Sequence, residues 1–235
     1  MLEQFRNDDI LFLDIETVPQ EKSFEDVNES LQALWDKKSK YFRKEDETPS
    51  DVYQRAGIYA EFGKIVCISV GIIHNVDGTK TFRVKSYAGA DEKALLNDFA
   101  VMLSRSRQKY LCGHNIKEFD VPFMARRMLI NGIKLPESLN IAGKKPWEVN
   151  FIDTLDLWKF GDYKHYTSLN LLTNIFGIPS PKDDIDGSEV ARVFYEENDI
   201  ERIAVYCEKD VLATAQLFLR FKGEELIDPD KVERA

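Results

Sequence analysis

The stretch Ile10-Leu11-Phe12-Leu13-Asp14-Ile15-Glu16-Thr17 decides the fold of this chain. Its apolar run from Ile10 to Ile15 has the length of a buried strand and closes in polar residues and Pro19. Two acids interrupt it. Side chains two apart on a strand project to the same face, so Asp14 and Glu16 present both carboxylates to one point while Leu13 and Ile15 pack behind them.

Outward from this strand, a mixed-charge stretch runs from about Gln20 to Arg55, with helical spacing around Leu31, Leu34 and Trp35 and the turn-prone Thr48-Pro49-Ser50. It reads as an insertion of helix and loop over about residues 20–57. Two strand-like segments follow, Ile65 to Ile73 and Thr81 to Tyr87, joined by the turn signal Asn75 to Gly78 into a hairpin. Asp91 caps a helix whose apolar positions are Leu95, Leu96, Phe99 and Leu103. A short strand at Tyr110 to Cys112 leads to Gly113, His114 and Asn115, and a helix from about Val121 to Leu129 ends near Asn131-Gly132. A strand near Phe151 to Asp153 and helices from about Ser168 to Phe176, Ser188 to Glu196 and Ile200 to Phe221 complete the pattern. Strands first, then strands alternating with helices, predict an α/β fold with a mixed β-sheet flanked by helices, in a single domain over residues 1–235.

Composition narrows the function. With 235 residues, 43% hydrophobic and 31% charged, the chain can bury one sizeable core. Its apolar runs fall far short of the roughly 20 residues that span a bilayer, and no secretory leader is legible, so a soluble, cytoplasmic protein with no membrane partner is expected. Cys67, Cys112 and Cys207 are odd in number and far apart, and read as reduced core residues. A net charge of -9 argues against a nonspecific polyanion binder, so a nucleic acid would be held locally, through metal ions and a few basic side chains.

Two further acids join Asp14 and Glu16. Asp120 follows Phe119 at a loop-to-helix junction, and Tyr206 and Asp210 stand at i and i+4 on the last helix, hence on one of its faces. Clustered carboxylates repel one another unless hard divalent cations hold them, and Mg²⁺ commonly binds through a few carboxylates plus substrate phosphates. Two such ions about 4 Å apart would stabilise the attacking and leaving oxygens of an in-line displacement at phosphorus. The expected cofactors are therefore two divalent ions, Mg²⁺ or Mn²⁺. The simpler readings of other residues also stand: His114 as a hydrogen-bonded loop residue, His74 and His165 without pattern, Asp153 ending a strand, Asp156 capping or facing solvent. The basic clusters Lys37 to Lys44 and Arg126-Arg127 read as solvated helix faces, and Trp35, Trp147 and Trp158 as core or interface.

Three motifs in order, Asp14-Ile15-Glu16-Thr17, then Asn115 with Phe119-Asp120-Val121-Pro122, then Tyr206-Cys207-Glu208-Lys209-Asp210, resemble the DEDD superfamily of 3'-5' exonucleases, tyrosine variant. The proofreading domains of family-B DNA polymerases look most similar. The resemblance implies a ribonuclease H-like fold and hydrolysis of single-stranded nucleic acid from its 3' end, DNA favoured over RNA, releasing nucleoside 5'-monophosphates. It implies that Asp14, Glu16 and Asp210 ligate the ion that binds the attacking water, that Asp14 bridges to the second ion, that Asp120 supports that second ion, and that Tyr206 orients the water. The histidine subgroup carries its histidine five residues before the last aspartate, where this chain has Val205. Thr17, Asn115 and Phe119 are the resemblance's substrate contacts, although Val18 stands where many relatives have glycine. RNA-processing members share these motifs, so RNA stays an alternative substrate. A non-catalytic binding module is a third reading, against which the presence of all four carboxylates and the tyrosine counts. A protein partner is left unidentified.

Overall fold

The computed structural model describes residues 2–162, 166–179 and 185–235. Its centre is strand β1 (Ile10–Pro19), which pairs antiparallel with β2 (Gly63–Val76) and parallel with β4 (Tyr110–Gly113). β3 (Thr79–Ala88), β5 (Phe151–Asp153) and β6 (Val232–Arg234) complete a mixed six-stranded sheet in the order β5-β4-β1-β2-β3-β6. The β2–β3 hairpin turns on Asp77 and Gly78, both at positive φ (51° and 82°), the two-residue geometry whose twist matches the strands it joins.

Alternation along β1 divides the core between two faces. Leu11, Leu13 and Ile15 pack with α2 (Glu92–Arg105) and α3 (Asp120–Ile130) through Leu95, Leu96, Phe99, Leu103 and Met124. Ile10 and Phe12 face the other way, toward a long helix, α7 (Ile200–Lys222), meeting Val211, Ala215 and Phe218. Between them run α4 (Thr154–Lys159), α5 (Leu169–Ile175) and the single turn α6 (Val190–Arg192). No helix of the described residues is long and apolar enough to cross a membrane.

The insertion holds α1 (Glu29–Ser39) and has a core of its own around the fully buried Trp35, whose ring meets Phe62 at 5.3 Å and Tyr53 at 5.9 Å between centroids. Its two ends meet, since the Gln20 N–H donates to the Phe62 carbonyl at 2.9 Å. The Tyr195 hydroxyl reaches the carbonyls of Pro19 and Gln20 at 2.7 and 2.8 Å, tying the insertion's start to the segment that leads into α7.

Several expectations are corrected. Ser188 to Glu196 is one α-helical turn followed by a π-turn at Val193–Glu197, which Asn198 ends at φ 54°. Trp147 is exposed, and α4 and β6 had no counterpart in the sequence pattern. Arg127 is not on a solvated face. It is buried, and its guanidinium donates to both oxygens of buried Glu92 (2.9 and 2.5 Å) and to the Ala60 carbonyl (2.9 Å), while Glu92 also accepts from the Ile65 N–H (2.7 Å) and the Asn131 amide (3.0 Å). This charge pair joins α2, α3 and β2 beneath the sheet. Breaking one partner leaves the other charge buried, so Glu92→Gln should lower unfolding free energy by about 3–5 kcal/mol, read from urea denaturation. A change within about 0.5 kcal/mol would mean that Arg127 reaches water in the variant.

Candidate active site

Asp14 and Glu16 lie on the face of β1 turned to α7, at its C-terminal half. Two irregularities open that end. Pairing with β4 covers only Ile10 to Phe12, and on the other side a bulge shifts the register so that Glu16 opposes Cys67 while Thr17 opposes Ile65. Bulges twist a strand locally and re-aim its side chains.

The loop after β4 fills the gap beside β1. Gly113 permits the approach, because a Cβ there would stand 2.8 Å from the Ile116 Cβ and 3.1 Å from the Leu13 carbonyl oxygen. Asn115 turns the chain at φ 65°, and Asp120 opens α3 as its first residue, where the helix N-terminus favours a carboxylate. Asp153 holds this loop. Its carboxylate accepts the backbone N–H groups of Asn115 (2.9 Å) and Lys117 (3.1 Å) and caps α4 through Leu155 (3.0 Å). Asp153 thus ends its strand as expected and also positions the second motif, a role whose only sequence signal was an Asp at a strand-to-helix junction. Asp156 pairs with Lys117 and Lys159 at the surface. Burial holds the His114 pKa down and keeps the ring neutral; Nε2–H donates to the Thr167 carbonyl at 2.8 Å, and Nδ1 lies 2.9 Å from the Thr154 hydroxyl. His165 lies outside the described residues.

Helix α7 brings the third motif across. It is capped by Asp199 at its start and closed by Gly223 at φ 73°. Its fully buried Cys207 sits 3.4 Å from the Asp14 carbonyl oxygen and 3.6 Å from Oδ2, which sets the helix directly against β1. Asp14, Glu16 and Cys207 offer ligand atoms within 4.8 Å of one another.

The five residues singled out in the sequence meet in one electrostatic cluster. Burial lifts Asp14 and Glu16 well above the ordinary carboxylate range; the charges of Asp120 and Asp210 add to the shift on Asp14, as those of Asp14 and Asp210 do on Glu16. Asp120 is pushed up to about 7, by burial first and then by Asp153. Asp210 rises to about 6 through burial, partly offset by its hydrogen bond with the Tyr206 hydroxyl. Burial and these acids also raise the Tyr206 phenol, which stays protonated at neutral pH. Among the described residues no Lys or Arg forms an ion pair with any of the four carboxylates; their partners are neutral, Cys207 beside Asp14, backbone N–H groups on Asp120 and the Tyr206 hydroxyl on Asp210. Asp14 and Glu16 stand close enough to share a hard divalent cation, with Asp120 and Asp210 within electrostatic reach of them. Thr17, Asn115 and Phe119 are part-exposed on the elements that carry the cluster, and Phe119 packs on Phe123 at 5.5 Å between centroids.

Residues 58–232 match the model of a family of predicted 3'-5' exonucleases related to the exonuclease domain of PolB, and the chain belongs to that family. The matched stretch includes Asp120, Tyr206 and Asp210 and begins after β1, so Asp14 and Glu16 lie outside it. Among solved structures, the family B DNA polymerase of the hyperthermophilic archaeon Pyrobaculum calidifontis is similar, with a TM-score of 0.53 and 15% identity over 90% of this chain and 24% of the polymerase. The chain therefore spans about a quarter of that polymerase. The likeness is one of fold, consistent with the ribonuclease H-like architecture. No curated protein matches.

The raised carboxylates fix a sign for pH dependence. In metal-free protein the folded state keeps protons on Asp120 and Asp210 that the unfolded chain releases near its ordinary carboxylate value, so stability is lost as pH rises through the folded values. The melting temperature in EDTA should fall between about pH 4 and pH 7, and Asp210→Asn should flatten that fall and leave metal-free protein as stable or more stable at neutral pH. A clear loss of metal-free stability in Asp210→Asn would make Asp210 a structural partner instead.

Proposed function

We propose that the protein is a metal-dependent 3'-5' exonuclease that hydrolyses single-stranded DNA and releases nucleoside 5'-monophosphates. One observation carries this reading: four acids from three separate elements, Glu16 and Asp120 buried and Asp14 and Asp210 part-exposed, act on one another with no ion-paired Lys or Arg among the described residues, and the phenol of Tyr206 stands within the same cluster.

Asp14, Glu16 and Asp210 would hold one Mg²⁺ or Mn²⁺ ion, and Asp120, with Asp14 shared, would support a second. Bound there, the ions would lower the pKa of water and stabilise charge on the attacking and leaving oxygens. The protein's own groups do the rest. The Tyr206 hydroxyl donates a hydrogen bond to Asp210, which leaves its oxygen lone pairs to accept from the attacking water and fix its line of approach. It does not take the proton, since its phenol is raised further from neutrality by its surroundings. Asp153 and Gly113 hold the loop that presents Asn115, Phe119 and Asp120. Phe119 offers a ring edge to a terminal base, and Thr17 lies just past the bulge for contact with the 3'-hydroxyl.

The test uses 5'-labelled single-stranded DNA and RNA of matched sequence. With Mn²⁺, wild-type protein should shorten DNA from its 3' end, faster than RNA; EDTA or Asp14→Ala should abolish the ladder. No degradation of either strand would overturn the reading. Tyr206→Phe should slow cleavage about a hundredfold while leaving DNA binding nearly intact. Equal losses in both would make Tyr206 a substrate-binding group. Mn²⁺ should also raise the wild-type melting temperature by mass action, and Asp14→Ala should reduce that rise.

A further inference from the structure

Across the sheet from the carboxylates, the end of α2 and strands β2 and β3 enclose a cavity of about 540 Å³. Its floor is aliphatic: Leu11, Val70, Ile72 and Met102. Ile72 and Met102 stay part-exposed where α2 ends at Arg105.

Four basic side chains stand on the rim, which Ala235 also lines. Arg83 and Lys85 alternate on β3 and so share a face, and Arg105 and Arg107 come from the end of α2 and the residues after it. All four are exposed. Among the described residues none of them forms an ion pair; even Glu233, opposite Arg83 in the β3–β6 register, does not come within reach. Several surface cations do find acids, Lys80 with Glu224, Lys109 with Asp9 and Lys117 with Asp156, whereas these four sit together without one. In a chain of net charge -9, four cations without ion-pair partners around one apolar floor repel one another, and an anionic ligand would relieve that repulsion.

We propose that this cavity docks an acidic segment of a partner protein that carries a large apolar side chain. The apolar residue seats on Val70, Ile72 and Met102, and flanking carboxylates are held by the rim, where arginine offers two parallel donors to each carboxylate. A nucleic-acid strand fits less well. Strands are held by basic grooves lined with aromatic faces, whereas the one ring lining this cavity, Tyr87, has the Lys85 ammonium over it at 5.0 Å from the centroid. The cavity also opens on the face opposite Asp14 and Glu16, so its occupant is not the strand being cut.

Random peptides displayed on phage and selected against the full chain should be those in which Asp or Glu flank Leu, Ile or Phe. Their affinity, read by fluorescence anisotropy, should fall at least about tenfold in Arg83→Glu/Arg105→Glu, and Lys85→Glu/Arg107→Glu, on the other rim positions, should do the same. Replacing the peptide's apolar residue by serine should weaken binding as well. Both variants should keep the wild-type melting temperature and affinity for single-stranded DNA. Selected peptides that lack acids, or binding that survives both reversals, would overturn the proposal. So would a matching loss of DNA affinity in the same variants, which would assign the surface to nucleic acid.

Discussion

Acidic groups drawn together at a largely buried point, with no ion-paired Lys or Arg among the described residues, are the constraint around which this fold is arranged. An unpaired buried ion costs several kcal/mol even after the surroundings relax, against a total stability of about 5–15 kcal/mol for an ordinary domain. Proton uptake relieves part of that, which is the meaning of the raised Asp120 and Asp210. The remainder has to be borne by elements that cannot yield. β1 lies between two partner strands, α7 is capped at both ends and set against Asp14 by Cys207, and Asp153 fixes the second loop through two backbone N–H groups while capping α4 through a third.

A different electrostatic solution operates beneath the sheet. Glu92 and Arg127 are buried as Glu16 and Asp120 are, yet each answers the other, and Ile65, Ala60 and Asn131 complete their hydrogen bonds, so the pair stiffens where the cluster strains. The contrast separates structure from chemistry in this molecule. Charge that is matched locks α2 and α3 to β2, and charge that is unmatched marks the place meant to meet something from outside.

Much of this was legible in the sequence because it rests on short-range geometry. The alternation in Ile10 to Thr17 gave both the central strand and the shared face of Asp14 and Glu16, Asp77-Gly78 gave the hairpin, and the i, i+4 spacing put Tyr206 and Asp210 together. Features that depend on distant partners were not legible. Arg127 looks like its solvated neighbour Arg126 until Glu92 is placed across from it, and Asp153 looks like any strand-ending acid until the loop at Asn115 folds over it. β6 is three residues that become a strand only because β3 offers an edge, and the π-turn at Val193–Glu197 leaves no periodic trace in so short a segment.

The insertion between β1 and β2 enters and leaves the sheet at adjacent points: Pro19 pairs with Gly63, and Gln20 bonds to Phe62 just outside. Because the ladder below that closure sets the register, and the entropy of closing a loop grows only slowly with its length, the sheet is indifferent to how much chain hangs there. Residues 20–62 carry an aromatic core of their own and rest on β1 through Gly57, close against Val18 and Pro19. A lineage could lengthen or shorten it beyond that contact, and the same junction is a natural graft point for a foreign module brought beside β1.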